Sequence, residues 1–400
     1  MNTEAKKLLL LGAMGMHVPL LKRARERGIY TITCDYFPDA IGHSYADEAH
    51  VDSTTDKEAV LQLAQKCQVD AVMTFNSDPA ALTAAFVADK LGLPSSGFQA
   101  VEVMSEKDKF RQFLSQHGFN TPKFGQFSDY QSLVKMVDQF TFPVMIKPVD
   151  SSGSKGISKV QCADELPALF ERALDNSRCK RVIVEEFITG QGAQLHGDAF
   201  VKDGQIEFIY LGDHHFDREV NNLVPISTTF PSCHSEAEQE LVRAEVQAFI
   251  SKVGFKQGGI NVEARITADN KVYLIEVGPR NGGNFTPIVI QYASGFNFVD
   301  ACLDAYLGID SEPQQACKKG YFAYMIPHSK EAGTLERIDI SPELQGKILE
   351  RHDYVQAGGP VNSFVGANAA VGVLLVRFNS AEEMEQYVNN CNHHCRVILK

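Results

Sequence analysis

No stretch of this 400-residue chain is apolar over the length a membrane span needs, and no charged–apolar–small leader follows Met1. Neither anchoring nor export is expected, and the sequence reads as cytoplasmic. A basic face is also missing. The net charge is −12, with 38 Lys and Arg against 50 Asp and Glu, which argues against a nucleic-acid partner. The nine cysteines are odd in number and scattered, as in a reduced protein rather than a disulfide scaffold. No Gly-Lys-Ser/Thr opens a helix, so there is no Walker loop. Gly12 and Gly15 with Asp35 fall one glycine short of the Gly-x-Gly-x-x-Gly fingerprint, which disfavours a dinucleotide site. No internal repeat or low-complexity segment stands out. What is present is 44% hydrophobic, ample for a large core shared among two or three domains.

The first hundred residues alternate between strand and helix. Residues 7–11 form a strand entering a glycine turn, 18–27 a helix, and 30–35 a strand ending in an acid. A helix over 56–66, a strand over 71–75 and a helix over 79–91 continue the rhythm. Such βαβ alternation builds a doubly wound parallel sheet, whose ligands sit beyond the carboxyl ends of its strands. Asn76, Ser77 and Asp78 occupy that place, either as substrate contacts or as the cap of the helix that Pro79 opens.

The richest segment is 272–284, VYLIEVGPRNGGN. A strand delivers Glu276, a Gly-Pro turn presents Arg280, and Gly282-Gly283 leaves bare backbone beside Asn281 and Asn284. Upstream, the short strand 259–265 offers Glu263, and the turn-rich 267–271 predicts that the two strands pair antiparallel. Glu263 and Glu276 then project at one height, suited to holding Mg²⁺ through oxygen. Arg280 would meet a phosphoryl group or a carboxylate. Two glutamates on neighbouring strands are more often solvated surface charges, so this reading leans on its upstream partners.

Those partners come in order. The apolar run 142–148 ends on Lys147, and the loop 150–156, DSSGSKG, precedes a return strand over 157–160. N–H groups around Ser152, Gly153 and Ser154 could fold over phosphates with Lys147 as a point charge; the plain alternative is a hairpin. The strand 181–188 stops at Glu185-Glu186 and resumes with Phe187-Ile188, an edge able to offer backbone groups to a purine or simply a solvated strand end. Residues 105–114 read as a helix capped by Ser105 and ended by Gly118 and Pro122.

A Lys-bearing helix, strand-Lys-Pro, glycine loop, Glu-Glu-Phe-Ile, then Asn261-x-Glu263 and Glu276-x-Gly-Pro-Arg280: this order resembles the ATP-grasp superfamily over about 105–310. Its carboxylate–amine ligase branch, with carbamoyl-phosphate-synthase-like chains, looks most similar. The resemblance implies an α/β and α+β multidomain fold. A doubly wound pre-ATP-grasp domain would cover 1–104, and an ATP-grasp domain 105–316 with a lid over about 123–190. A small C-terminal α+β unit would cover 317–400.

The activity implied is an ATP- and Mg²⁺-dependent ligase, with two ions admissible and Mn²⁺ an acceptable substitute. It would activate a carboxylate as an acyl phosphate, join it to an amine and release ADP and phosphate. Its partners are those two small molecules, and a homodimer is an admissible assembly. By motif, Lys107 (in preference to Lys109) and Lys147 contact phosphates. The Glu186 C=O and Ile188 N–H read adenine, with Glu185 and Phe187 close by. Glu263 and Glu276 bind metal, and Arg280 holds the substrate or acyl phosphate, making Lys147 and Arg280 the catalytic pair. The Gly282-Gly283 backbone would help stabilise the oxyanion. Asn281, Asn284 and Asn76 fall on the substrate side.

Two positions depart from the pattern. Gly278 stands where the family usually has Asn, leaving Asn281 or water to complete the metal shell. No ribose-binding acid follows the hinge, and Gln194 is its nearest substitute. A bicarbonate-activating or kinase-like subunit and a non-catalytic nucleotide-binding module are the alternatives. Elsewhere, 212–218, GDHHFDR, reads as a polar loop with substrate contact or a transition metal as further options. Cys391, His393, His394 and Cys395 resemble a metal cluster, although a lone terminal cluster seldom ligates. Strands over 321–327 and 371–378 and a helix boxed by Ser380 complete the terminal unit.

Overall fold

Leu8 to Leu11 are all fully buried, Leu8 and Leu10 in one core and Leu9 and Leu11 in another. A strand covered on both faces has no polar side, so its sequence shows no alternation. In the computed structural model, which describes residues 5–400, this strand is β1 (Lys7–Leu11). It pairs in parallel with β2 (Tyr30–Asp35), which carries β3 (Glu48–Val51) outside it, and with β4 (Ala71–Met73). Helices α1 (Val18–Glu26), α2 (Lys57–Cys67) and α3 (Asp78–Leu91) alternate with these strands, as the sequence predicts. Asp35 holds the glycine turn, accepting from the Ala13 N–H at 2.7 Å and the Phe37 N–H at 3.0 Å. Gly12 has φ of +121°, and a Cβ there would lie 2.4 Å from the His17 ring. The turn needs glycine for its own packing.

Next come α4 (Phe98–Ser105) and α5 (Lys107–Gln116). Ser105 therefore ends one helix instead of capping the next; Glu106 takes the N-cap place with no side-chain cap bond. A separate four-stranded sheet region follows with β5 (Phe124–Phe127), α6 (Tyr130–Val134), β6 (Val144–Pro148), β7 (Ser158–Val160), α7 (Leu166–Asp175) and β8 (Val182–Glu186). Its antiparallel sheet, ordered β5-β8-β6-β7, closes on Phe127, Leu133, Ile146, Phe170 and Val184.

The central region adds β9 (Gln194–Lys202), β10 (Gln205–Asp217), β11 (Asn221–Phe230), α8 (Glu236–Val253), β12 (Gly258–Ile266) and β13 (Val272–Gly278). Ser235 and Glu238 cap α8 reciprocally, which fixes its start. Helices α9 (Thr286–Ser294) and α10 (Phe298–Leu307) lead to β14 (Tyr321–Met325), β15 (Gly333–Ile340), β16 (Ile348–Asp353), β17 (Pro360–Val361), β18 (Gly372–Phe378) and β19 (Cys395–Leu399). Eight strands form one antiparallel sheet in the order β13-β12-β9-β10-β11-β14-β18-β16. Three strands of the C-terminal unit thus extend the central sheet, while β17, β15 and β19 make a separate small one.

The segment 212–217 is corrected from loop to strand, since it forms the end of β10. His214 and His215 point to opposite faces there, which removes a joint metal site. At the C-terminus, Cys391 and Cys395 are buried, and His394 bonds Ser341 Oγ at 3.0 Å while stacking on Tyr387. Among the described residues, the donor set close enough to share a metal is Glu48, His50 and Cys67, not this terminal cluster. Among them, too, no helix is long and apolar enough to cross a membrane.

Candidate active site

β12 and β13 pair so that Glu263 stands opposite Glu276, and β9 places His196 opposite Glu263. Because side chains alternate along a strand, one sheet face collects Glu276, Glu263, Asn261, Gln194, His196 and Asp198. His214, Thr228 and Tyr324 continue it across β10, β11 and β14. This polar floor underlies a cavity of about 1080 Å³. Burial raises the Glu276 carboxyl above its ordinary pKa, against the pull of Lys107 at 3.7 Å and with Glu263 adding to the rise. Two carboxylates facing each other across neighbouring strands, each adding to the cost of charging the other, are what a divalent cation with oxygen ligands would fit. Glu263 is held by Gln194 Nε2 at 2.9 Å, and Gln194 Oε1 accepts from Arg265 at 3.0 Å. One donor and one acceptor site of the Gln194 amide are thus committed, leaving one N–H and one lone pair.

On the other wall, Lys147 donates to Glu185, and Arg111 Nε donates to the second Glu185 oxygen at 2.7 Å. Burial alone would raise the Glu185 carboxyl, but Arg111 and Lys147 outweigh it and hold it at about 2. The same burial, with Arg111 beside it, pushes the Lys147 ammonium down against the pull of Glu185. Glu185 lines the cavity beside Glu186, Phe187 and Ile188 and is the shared counter-ion of two buried cations. Two positive charges on one carboxylate leave a surplus that a phosphate oxygen would neutralise.

Lys107 donates to the Ser151 carbonyl at 2.7 Å, joining α5 to the glycine loop, whereas Lys109 pairs with Glu102 and Glu106. Ser152, Gly153 and Ser154 line the cavity. Their loop is moored at two points: Ser154 Oγ donates to the Leu223 carbonyl at 2.9 Å, and Ala367 N–H donates to the Gly153 carbonyl at 3.0 Å. Glu186, Phe187 and Ile188 border the same space. The Glu186 carboxylate accepts from the Thr141 N–H, and the Phe187 ring lies under Lys159 Nζ at 3.6 Å.

Arg280 is gripped by Asp78 through two bonds of 2.7 Å, from Nε and Nη2, while Nη1 donates to the Asn281 carbonyl. Asn76 and Asn284 line the cavity as well. Asn281 does not. It is 2% exposed, and its amide donates to Asp198 at 3.1 Å, so it cannot stand in at the metal acids. The Gly282 N–H is likewise spent, bonding both Asp198 oxygens at 2.9 Å, which removes it as an oxyanion donor. Burial holds the Asp198 carboxyl up at about 6 despite these bonds. Gly283 remains open to the cavity.

Arg111 and Asp198 went unassigned from sequence although both left a signal, and Asp78 was read as a substrate contact or helix cap, not as the partner of Arg280. Arg111 sits four residues after Lys107 and three before the buried Leu114, on the inward stripe of α5. The alternation Gln194, His196, Asp198 marks a polar strand face. Nothing local pairs Asp78 with Arg280.

The model of the ATP-grasp domain family matches residues 140–288, which hold Lys147, the glycine loop, the hinge, Glu263, Glu276 and Arg280. The chain carries an ATP-grasp domain. Formate-dependent phosphoribosylglycinamide formyltransferase of Synechococcus sp. (strain CC9605) is 30% identical over 194 residues, 47% of this chain and 49% of the relative. The carbamoyl phosphate synthase large chain of Caldanaerobacter subterraneus subsp. tengcongensis is 23% identical over 346 residues, 83% of this chain and 31% of that one. The chain spans about half the length of the curated relatives it matches first. An L-amino acid ligase structure from Bacillus licheniformis superposes with a TM-score of 0.81 at 22% identity, covering 100% of both chains, so the two share a fold over the full length.

Proposed function

We propose that this protein is an ATP-dependent ligase that activates a small carboxylate as an acyl phosphate and joins it to an amine, releasing ADP and phosphate. The observation that carries the reading is the in-register pair Glu263 and Glu276, with Lys107 and Arg280 on either side of Glu276. The named relatives support it, being a formyltransferase, a carbamoyl phosphate synthase and an amino acid ligase.

Glu263 and Glu276 would hold the divalent ion, Mg²⁺ on this reading, which supplies charge neutralisation for phosphoryl transfer when bound. Lys147 and Arg111 carry the buried surplus charge that a phosphate oxygen meets, and Lys107 draws the glycine loop over it. The substrate carboxylate attacks the γ-phosphorus and ADP departs. The amine then displaces phosphate from the acyl carbon, while the remaining N–H groups of Arg280 stabilise charge on the acyl oxygen. The moored loop excludes water, which would otherwise hydrolyse the intermediate. The test is ADP release against a panel of carboxylic acids and amines, with and without Mg²⁺. Release that requires acid, amine and metal together supports the ligase. Release unaffected by any acid overturns it.

A further inference from the structure

β3 is the edge of the N-terminal sheet, and its side chains are arranged the wrong way round for a plain edge. A half-buried strand alternates with its apolar side chains turned inward. In β3 the half-buried positions are Glu48 and His50, while Ala49 and Val51 face solvent, Val51 with 59% of its surface exposed. Inward charge is one way an edge strand avoids pairing with another chain, and that accounts for a charged residue here. It does not account for the thiol that meets the same two side chains.

That thiol belongs to Cys67, the last residue of α2. Its place is fixed from the backbone. Gln68 ends the helix in the left-handed region at φ +53°, and Lys7 Nζ donates to the Cys67 carbonyl at 3.2 Å. The Lys7 N–H also donates to the Asp70 carboxylate at 2.8 Å. Glu48 Oε1 then lies 2.7 Å from His50 Nε2 and 3.9 Å from Cys67 Sγ, and the three donor atoms all fall within 4.8 Å of one another. A tetrahedral shell with bonds of ~2.0–2.3 Å keeps its donors roughly 3.3–3.6 Å apart, so small side-chain rotations would seat an ion.

We propose that Glu48, His50 and Cys67 bind one divalent cation of the zinc class, which ties the edge strand β3 to the end of α2. Carboxylate and thiolate bring two negative charges and imidazole none, so a doubly charged ion leaves the set neutral. The Cys67 proton departs to solvent as the metal–sulfur bond forms. Sulfur and nitrogen donors favour zinc, cobalt or nickel over magnesium and calcium, which take oxygen. Three protein ligands leave the fourth position to water. The site lies at the amino end of the parallel sheet, beside the first residue of β1, whereas such a sheet meets its substrates beyond the carboxyl ends of its strands. None of the three residues lines the cavity. The ion is a staple for the N-terminal domain, separate from the Mg²⁺ of the ligase reaction.

The experiment uses the full chain, stripped with a chelator and then held in excess Mg²⁺ so that Glu263 and Glu276 are occupied. Co²⁺ is titrated as a spectroscopic probe, with Zn²⁺ as its competitor. One equivalent of Co²⁺ should give a thiolate charge-transfer band and the visible bands of a four-coordinate ion, and Zn²⁺ should bleach both. Cys67→Ser should remove the charge-transfer band, and His50→Gln should weaken Zn²⁺ binding about a hundredfold, both with native circular dichroism. Zn²⁺ should raise Tm in wild type and not in Cys67→Ser. It should also slow iodoacetamide alkylation of Cys67, read by peptide mass spectrometry, while leaving the exposed Cys162 as reactive as before. A charge-transfer band that survives Cys67→Ser, Zn²⁺ affinity unchanged in His50→Gln, or no Co²⁺ or Zn²⁺ binding against the Mg²⁺ background would overturn the site.

Discussion

Replacing Glu185 with Gln tests the charge arrangement under the phosphate end directly. The side chain is nearly isosteric, so packing is kept and the counter-ion of Lys147 and Arg111 is lost. A fall in carboxyl pKa from 4.5 to about 2, at ~1.36 kcal/mol per pH unit, corresponds to roughly 3 kcal/mol of stabilisation. Removing one partner of a buried pair costs about 3–5 kcal/mol, which agrees in size. No discount for solvent screening applies, because the Glu185 and Arg111 side chains are 5% and 2% exposed. The sign follows from the depressed pKa. The contribution is complete above pH ~4.5, the unfolded value, and is lost as pH falls toward 2. Urea unfolding of wild type and Glu185→Gln should therefore differ by about 3 kcal/mol at pH 7, with the gap shrinking at pH 3.5. Equal stability at pH 7, or a gap that stays constant on acidification, would refute the shared counter-ion.

Glu276→Ala should abolish ADP release while the circular dichroism spectrum stays native, and residual turnover near wild type would sink the central assignment. Lys147→Met should raise the ATP KM by at least tenfold and Lys155→Met by much less, since Lys147 is buried beside Glu185 and Lys155 is exposed on the loop; equal effects would show that the phosphate-facing lysine is misassigned. Asp78→Ala should cost roughly 2–3 kcal/mol by stranding the Arg280 guanidinium, and Asp78→Glu should recover part of it. Urea midpoints unchanged in Asp78→Ala would mean that the pair contributes nothing.

Much of the fold was legible because its signals are local and periodic. The βαβ rhythm of the first hundred residues and the turn between 267 and 271 predict the parallel sheet and the β12–β13 pair, including Glu263 opposite Glu276. Ser105 misled because a cap residue and the last residue of a preceding helix look alike when two helices abut. The 212–217 segment was misread because His and Asp are poor strand formers in isolation. They sit in β10 because β9 and β11 pair with it on either side and β11 side chains bond the histidines, as Thr228 does His214 at 2.8 Å. What the sequence could not reveal depends on long-range partners. Asn281 and Gly282 looked available until Asp198, more than eighty positions earlier, was seen to take both.

The order of the large sheet also bears on how the chain is made. β11 finds its outer neighbour only in β14, and β14 finds its own only in β18, which ends at Phe378. A ribosome that has delivered every presumed nucleotide-binding residue has still not delivered the strands that cover the growing edge. Until then β11 exposes unpaired N–H and C=O groups, a template for aggregation. Cutting the gene after residue 316 would freeze that moment, leaving the nucleotide site complete in sequence and the sheet open at its side.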